Sequence, residues 1–529
     1  MKKIFTSVLM ALAMMSASAE EYTCPLVLNV WGTGDESAGN VSVTVTKQDD
    51  GKYTMQLKNF SLGATMPIGT IEMKNVDAVT CGNTVCLSSQ QTIKIAAGDD
   101  ESIDYWGGPA LGDLAVLLKG QLKDGKFNAI LNIPLELGAG SIGFVGVKLG
   151  DDANNMSQLP NSGFEDFHTA KVGNKLKTYT SDEPNGWHSF MSCTGKLSSL
   201  VASTPHTFIE NSVREGAEST KCVKVISANV WGQSANGTIT TGRLQAGDIT
   251  ATNQANCSFL NFETTDTDDN GDPFYAVLNN KPDSIKVWVK HHAGKGNTKN
   301  TYATVSALLT NGNYAQDPQI AQYKGNIIAE ANTTSIEAKD EWEQISIPFT
   351  YSNTEETPKA ALVTMSTCSV AGGGSTDNDD PDVLYVDDVE LVYNAGIKSV
   401  SMRGSEIEFD EYNSAEIENY DGEITPDLFT VDAEGAGAYV TTKITAKEDD
   451  PTTVYATITV TSNDLKKYEV RMITFTGVSS GIAKATSSVM PTGVKAIYNL
   501  SGQQVSSMGK AGAYIIQRTD GTTVKVLKK

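Results

Sequence analysis

Oxygen donors at short spacing are the first residues in this chain that could do chemistry. Asp266-Thr267-Asp268-Asp269-Asn270-Gly271 matches the first half of a helix-loop-helix calcium loop, where alternate carboxylates and amides face one cation and a glycine makes the sharp turn. The twelfth position of such a loop must be a bidentate glutamate, but here it is Val277, and no helical pattern flanks the segment. An acidic surface loop is therefore expected, and likewise for 377–382, which follows Gly372-Gly373-Gly374. A second kind of chemistry is sugar recognition, which needs an aromatic face presented to solvent beside polar groups that take the hydroxyls. Trp288 stands with Lys286, Lys290 and His292 on the polar side of a strand whose Ile285, Val287 and Val289 face the other way. Trp231 lies in a loop-like Gly/Asn context, so Trp288, Trp231 and His292 are the candidate carbohydrate-binding residues. Trp187 and Trp342 suit packing.

Catalytic signatures are missing from the pattern. A glycosidase needs two carboxylates across a cleft, and nothing in the spacing pairs any two of the many Asp and Glu residues. The histidines, at 168, 188, 206, 291 and 292, form no zinc-protease motif, and neither a Gly-x-Ser-x-Gly elbow nor a phosphate loop occurs. His291 and His292 point to opposite faces of a strand and cannot chelate one metal together. Seven cysteines, at 24, 81, 86, 193, 222, 257 and 368, include no two-residue spacing of the zinc-knuckle or redox kind; Cys81 and Cys86 could close a hairpin.

The elements that must position these residues are strands. Val41, Val43 and Val45 alternate with Ser42, Thr44 and Thr46; Phe127, Ala129, Leu131, Ile133 and Leu135 alternate after the Asp124-Gly125 turn. Ile345, Ile347 and Phe349 do the same further on, as do Val454, Ala456, Ile458 and Val460. The period of two predicts an all-β protein throughout, and 529 residues are too many for one core. Asp plus Glu outnumber Lys plus Arg by 63 to 41, for a net charge of -22, a field that repels phosphate backbones and argues against nucleic-acid partners. At the N-terminus, Lys2-Lys3, an apolar run from Ile4 to Met15 and Ala17-Ser18-Ala19 have the order of a signal peptide over residues 1–19, with the mature chain starting near Glu20. That run is too short to span a bilayer, and no transmembrane segment is expected elsewhere.

Three resemblances add to this reading. Residues 20–150, through GKYTMQLKNFSL followed by PIGTIEMKNV, resemble the calycin-like domains of secreted Bacteroidetes proteins, which implies an antiparallel barrel or curved sheet; an apolar ligand inside and a filled interior look alike in sequence. Residues 159–394 resemble the PCMD (carbohydrate metabolism domain) family and, more distantly, the calcium-binding jelly rolls of carbohydrate-binding modules. The marks are Asn161-Ser-Gly-Phe-Glu165, Asn185-Gly186-Trp187, Thr241-Gly242-Arg243, WEQISIPFTY and the exit strand LYVDDVELVY. That resemblance implies a β-sandwich in which Glu165 and Asp387 or Asp388, assisted by Asn161, hold a structural Ca2+. Residues 396–478 read as an immunoglobulin-like β-domain acting as a spacer. Residues 490–529 resemble the C-terminal sorting signal of the type IX secretion system: the strand Val494 to Leu500, the Ser501-Gly502 turn, Gly512-Ala513-Tyr514, the Asp520-Gly521 turn and Lys528-Lys529.

Together these imply a secreted or cell-surface, non-catalytic protein that binds a glycan or polysaccharide through a calcium-stabilised jelly roll and meets the type IX machinery through its tail. A glycoside hydrolase is the alternative reading, and an adhesin or structural protein without a glycan ligand is another.

Overall fold

Alternation becomes a closed barrel in the computed structural model of this chain, which describes residues 18–478 apart from positions 31, 64–65, 139–140, 174–176, 298–299 and 448, together with strand segments between 486 and 528. The expected signal peptide lies almost wholly outside the described residues. Strands β1 (Ser18–Val30), β2 (Asp35–Lys47), β3 (Tyr53–Leu62), β4 (Met66–Cys81), β5 (Thr84–Ile93), β6 (Leu114–Lys123), β7 (Lys126–Gly138) and β8 (Ser141–Leu149) pair in chain order, and β8 closes on β1 with Leu149 opposite Leu26. Every pair is antiparallel, so the all-β, calycin-like barrel expected from the alternation is the fold observed. The β6–β7 turn needs positive φ at both central residues, and Asp124 (φ 51°) with Gly125 (φ 72°) supplies it. Val43, Val45, Met55, Leu57, Ile71, Met73, Leu118, Leu131 and Val147 all point inward and are buried, so side chains fill the interior.

The second unit is a β-sandwich. One sheet runs in the order Thr207–Glu210, Cys222–Ile226, Val383–Val392, Ser284–His292, Glu343–Pro348; the other runs Thr238–Thr240, Ala360–Ser366, Tyr302–Thr310, Ile327–Glu337, Thr350–Tyr351, with Ala276–Val277 paired to Ala360–Ser366. Ile285, Val287, Val289, Val223 and Val386 of the first sheet pack against Ile239, Val305, Ala307, Val363 and Met365 of the second. The entry segment docks here as well. Phe164 and Trp187 are buried in this core with ring centroids 5.2 Å apart, and the Trp187 indole N–H donates to the carbonyl of Pro160 at 2.9 Å. Gln158 ties entry to exit, its amide donating to the carbonyl of Leu391 (2.8 Å) and accepting from the Leu391 N–H (2.7 Å).

The third unit packs a sheet of Gly396–Met402, Ser405–Glu406 and Phe429–Glu434 against one in the order Ser414–Glu418, Tyr468–Thr476, Asp450–Thr461, Tyr439–Lys447, Thr486–Ser488. Ser414–Glu418 runs parallel to Tyr468–Thr476. In the tail, Val494–Asn499, Gln504–Val505, Gly512–Arg518 and Thr523–Lys528 form a four-stranded sheet, while the Ser501-Gly502 and Asp520-Gly521 turns lie outside the described residues. The units touch one another through polar and apolar contacts. The Asn83 N–H donates to the Tyr275 hydroxyl (3.2 Å), the Lys281 N–H donates to Asn463 Oδ1 (2.9 Å), and the rings of Phe144 and Tyr468 lie 4.1 Å apart. Among the described residues no helix is long and apolar enough to cross a membrane.

All seven cysteines are free thiols, so the bridge considered between Cys81 and Cys86 is not formed. In the β4–β5 hairpin Cys81 stands opposite Thr84 and Cys86 opposite Val79, so the two thiols are not cross-strand neighbours. Cys81 instead packs with Leu260, Tyr275 and Leu308 where barrel meets sandwich, and burial pushes its thiol up to about 11.

The filled barrel generates a prediction. Leu131→Ala removes a side chain with no exposed surface, and chemical denaturation followed by circular dichroism should show a loss of about 2–5 kcal/mol.

Candidate functional site

The outer face of the six-stranded sheet is a place where sequence alternation leaves hydroxyls instead of apolar groups. Thr304 and Ser306 flank core-facing Val305, and Thr364 and Ser366 flank core-facing Met365, so these side chains must point away from the core. They form the floor of a cleft of about 590 Å3. Its walls are the short helix Ser198–Val201 with Leu197 and Leu200, the hairpin of Ala228–Val230 and Gln233–Ala235, and a loop carrying Asp248 and Ile249. The floor hydroxyls are wired together: Ser258 and Thr364 share a hydrogen bond at 2.5 Å, and Thr364 lies 3.3 Å from the Thr240 hydroxyl. Asp317, preceding a cis proline, adds a carboxyl group. Burial pushes it above its ordinary range, partly offset by the Ser306 hydroxyl.

Trp231 stands at the rim. It occupies the tip of a two-residue hairpin turn, with Val230 paired to Gln233, and has φ 53°, a left-handed conformation that bulky side chains seldom adopt. Gly232 beside it has φ 82°, and its N–H is accepted by Asn229 Oδ1 at 2.7 Å. The indole is 80% exposed, and Ile249, which also lines the cleft, is 70% exposed. Turn chemistry favours Asn or Gly at that position, and packing favours a covered ring. Neither accounts for Trp231.

The other two candidates lie elsewhere. Trp288 is on the outer face of the five-stranded sheet, the opposite side of the sandwich, where the Arg214 guanidinium covers its ring at 4.7 Å from the centroid. His292, at the end of the same strand, contacts Asp380 at 2.8 Å. The structure thus brings Trp231 to a cleft and does not bring Trp288 or His292 to it. Ser306, Thr364 and Asp317 were not singled out by sequence reasoning; strand alternation around Val305 and Val363 was the available signal for the first two.

Glu165, Asp387 and Asp388 come to one end of the sandwich, where the segment 214–221 contacts all three. Arg214 donates to Asp387 Oδ2 (3.0 Å) and also to Asp388 Oδ2, while the Ser219 hydroxyl donates to Asp387 at 2.7 Å. Burial pushes the Asp387 carboxyl up to about 6 against these partners. Glu165 accepts from the N–H (2.6 Å) and hydroxyl (2.6 Å) of Thr220 and from the Lys221 N–H (3.0 Å). Although partly desolvated, its carboxyl is thereby held below its ordinary value. Asn161 closes its own turn, accepting from the Asp166 N–H at 3.2 Å and donating to the Asp166 carbonyl at 2.8 Å. A guanidinium therefore meets the charge of Asp387 and Asp388.

Both acidic runs are surface loops, as expected, but some of their carboxylates turn inward. Asp382 is fully buried and accepts from Gly294 N (2.7 Å), Ser375 N (2.7 Å) and the Asn297 amide (3.0 Å), so it pins the glycine-rich loop. Asp272 accepts from Gly186 N (2.8 Å), Asp269 accepts from Lys171 N (2.8 Å), Asp266 pairs with Arg243, and the Asp268 side chain is covered. Backbone N–H donors explain the difference, because a carboxylate that satisfies several of them can be buried.

Comparison with known proteins places the barrel. Residues 19–147 match the Calycin-like beta-barrel domain family. Two solved structures are similar to this chain, each described as a "putative glycoside hydrolase". The one from Bacteroides vulgatus ATCC 8482 is 15% identical with a TM-score of 0.28, covering 44% of this chain and 96% of its own. The one from Bacteroides thetaiotaomicron VPI-5482 is 13% identical with a TM-score of 0.29, covering 54% and 87%. No curated protein matches the sequence.

Arg214→Ala would leave Asp387, fully buried, beside Asp388 without a counter-charge. The expected outcome is a loss of about 3 kcal/mol in denaturant melts. Recovery of that loss on adding Ca2+ would show that these carboxylates can hold the cation.

Proposed function

We propose that this is an exported, non-catalytic protein that binds a glycan in the cleft on the outer face of the six-stranded sheet. One observation carries the reading: a tryptophan 80% exposed, held in a left-handed turn, stands over a floor of hydroxyls and a carboxyl group. A pyranose has the complementary chemistry, with C–H groups for the indole face and hydroxyls for Ser306, Thr364, Asn332 and Asp317. Strain of this kind at an exposed position points to selection for binding. The resemblance of residues 159–394 to the PCMD family supports a sugar ligand. The signal-peptide pattern of residues 1–19 and the type IX-like tail over 490–529 support display at the cell surface, where polysaccharides are met.

A second reading, glycoside hydrolysis, has one observation in its favour. Asp317 and Asp248 both line the cleft, and burial raises the Asp317 carboxyl in the direction a general acid requires.

Glycan-array screening followed by calorimetry on the full chain tests both. Trp231→Ala should weaken affinity by about 2- to 12-fold, the loss of a single aromatic contact, while Trp288→Ala leaves it unchanged. The opposite result would move the site to the five-stranded sheet. Release of reducing sugar by the wild type that disappears in Asp317→Asn would replace the binding reading with the hydrolytic one.

A further inference from the structure

Four side chains, three from residues 168–188 and one from the acidic loop, meet with one polar atom hydrogen-bonded and one without a partner each. His168 and Glu183 are directly opposite on the hairpin Phe167–Gly173 and Thr178–Pro184. Asp268 reaches them from the acidic loop, and His188 follows the hairpin. Glu183 Oε1 accepts from Ser189 N (2.7 Å) and the Ser189 hydroxyl, and Asp268 Oδ1 accepts from Asn270 N (2.9 Å) and Asp272 N (2.8 Å). Nδ1 of His168 lies 3.1 Å from Asn185 Oδ1, and Nε2 of His188 lies 3.2 Å from the Pro273 carbonyl. Each partner oxygen needs a hydrogen from the ring, so the far nitrogens carry the N–H.

The remaining four atoms, His168 Nε2, Glu183 Oε2, Asp268 Oδ2 and His188 Nδ1, are buried and have no hydrogen-bond partner. Glu183 and His188 are completely covered, as is the Asp268 side chain. Two carboxylate oxygens and two imidazole nitrogens without a hydrogen-bond partner, turned toward one another, are unfavourable unless a ring proton or a cation lies between them. His168 Nε2 is 3.4 Å from Asp268 Oδ2 and 3.7 Å from Glu183 Oε2, and all three atoms lie within 4.8 Å of one another. Bonds of the usual length in a tetrahedral zinc site set its ligands about 3.3–3.6 Å apart, close to the two His168 separations, and the carboxylate oxygens stand within 4.8 Å of each other.

The geometry points to a binding site for a divalent transition metal of the zinc class, with His168, Glu183 and Asp268 as ligands. His188 Nδ1, 3.4 Å from Asp268 Oδ2, lies beside the three ligands. An imidazole among few, mixed donors disfavours Ca2+ and Mg2+, which take six or more oxygens. Glu183 and Asp268 also border a cavity of about 170 Å3, with Ser192, Cys193, Arg243 and Phe274. Three protein ligands and an open position make a site that can take water or a small anionic ligand, with Arg243 at hand. The site is independent of the glycan reading, since it lies outside the cleft lining.

Full-length chain without a histidine tag, stripped with chelator and titrated with Zn2+, should take up one equivalent and melt about 5 °C or more higher at saturation. Zinc affinity should fall at least tenfold in Asp268→Asn and in His168→Gln and persist in Cys193→Ser. Co2+ should give the intense visible bands of a four-coordinate site. Folded wild type that takes up no zinc, or takes it up equally well in both ligand variants, overturns the proposal. Should the variants not fold, the wild-type readouts decide: weak six-coordinate cobalt bands with no melting shift refute it.

Discussion

The shared apolar core between the two sheets of the sandwich is the constraint on which the rest depends. Because side chains alternate with a period of two, turning Val287, Val289, Val305 and Met365 inward forces their neighbours onto one of two outer faces. On one sheet those neighbours are Lys286, Trp288 and Lys290; on the other they are Thr304, Ser306, Thr364 and Ser366. A one-residue slip of register would exchange core for cleft on an entire strand. The entry segment reinforces the register, since Phe164 and Trp187 are buried in the same core and Gln158 bonds Leu391.

Charge is handled by a second rule that recurs through the sandwich. The chain is strongly acidic, yet several of its carboxylates are buried with donors: Asp382 takes backbone N–H groups, and Asp387 takes Arg214 and Ser219. Glu183 and Asp268 follow that rule with one oxygen each and break it with the other. The departure sets the histidine cluster apart from the other buried carboxylates, because two imidazole nitrogens beside it also lack a hydrogen-bond partner.

Sequence legibility followed the range of the interactions. Barrel strands such as Phe127–Leu131 and the Asp124-Gly125 turn were readable because each depends on a few adjacent residues. The inward direction of Ile285, Val287 and Val289 was readable for the same reason, and with it the outward direction of Trp288. What covers an outward residue was not readable: Arg214, distant in sequence, stacks on Trp288, and among the described residues nothing comparable covers Trp231. Which carboxylates of the acidic loops turn inward was not readable, because composition counts charges, whereas burial depends on which N–H groups meet them.

Residue order by itself therefore determined the all-β class, the inward and outward faces of the principal strands and the acidic field that disfavours phosphate partners. It also supplied Trp231 as a residue to examine. Only the tertiary structure decided that Trp231 and Trp288 stand on opposite faces, that Arg214 meets the charge of Asp387 and Asp388, and that His168, Glu183 and Asp268 converge. The physical reason is that strand alternation is local, set by backbone geometry over a few residues. Convergence is long-range, set by how two sheets pack and where their loops are pinned.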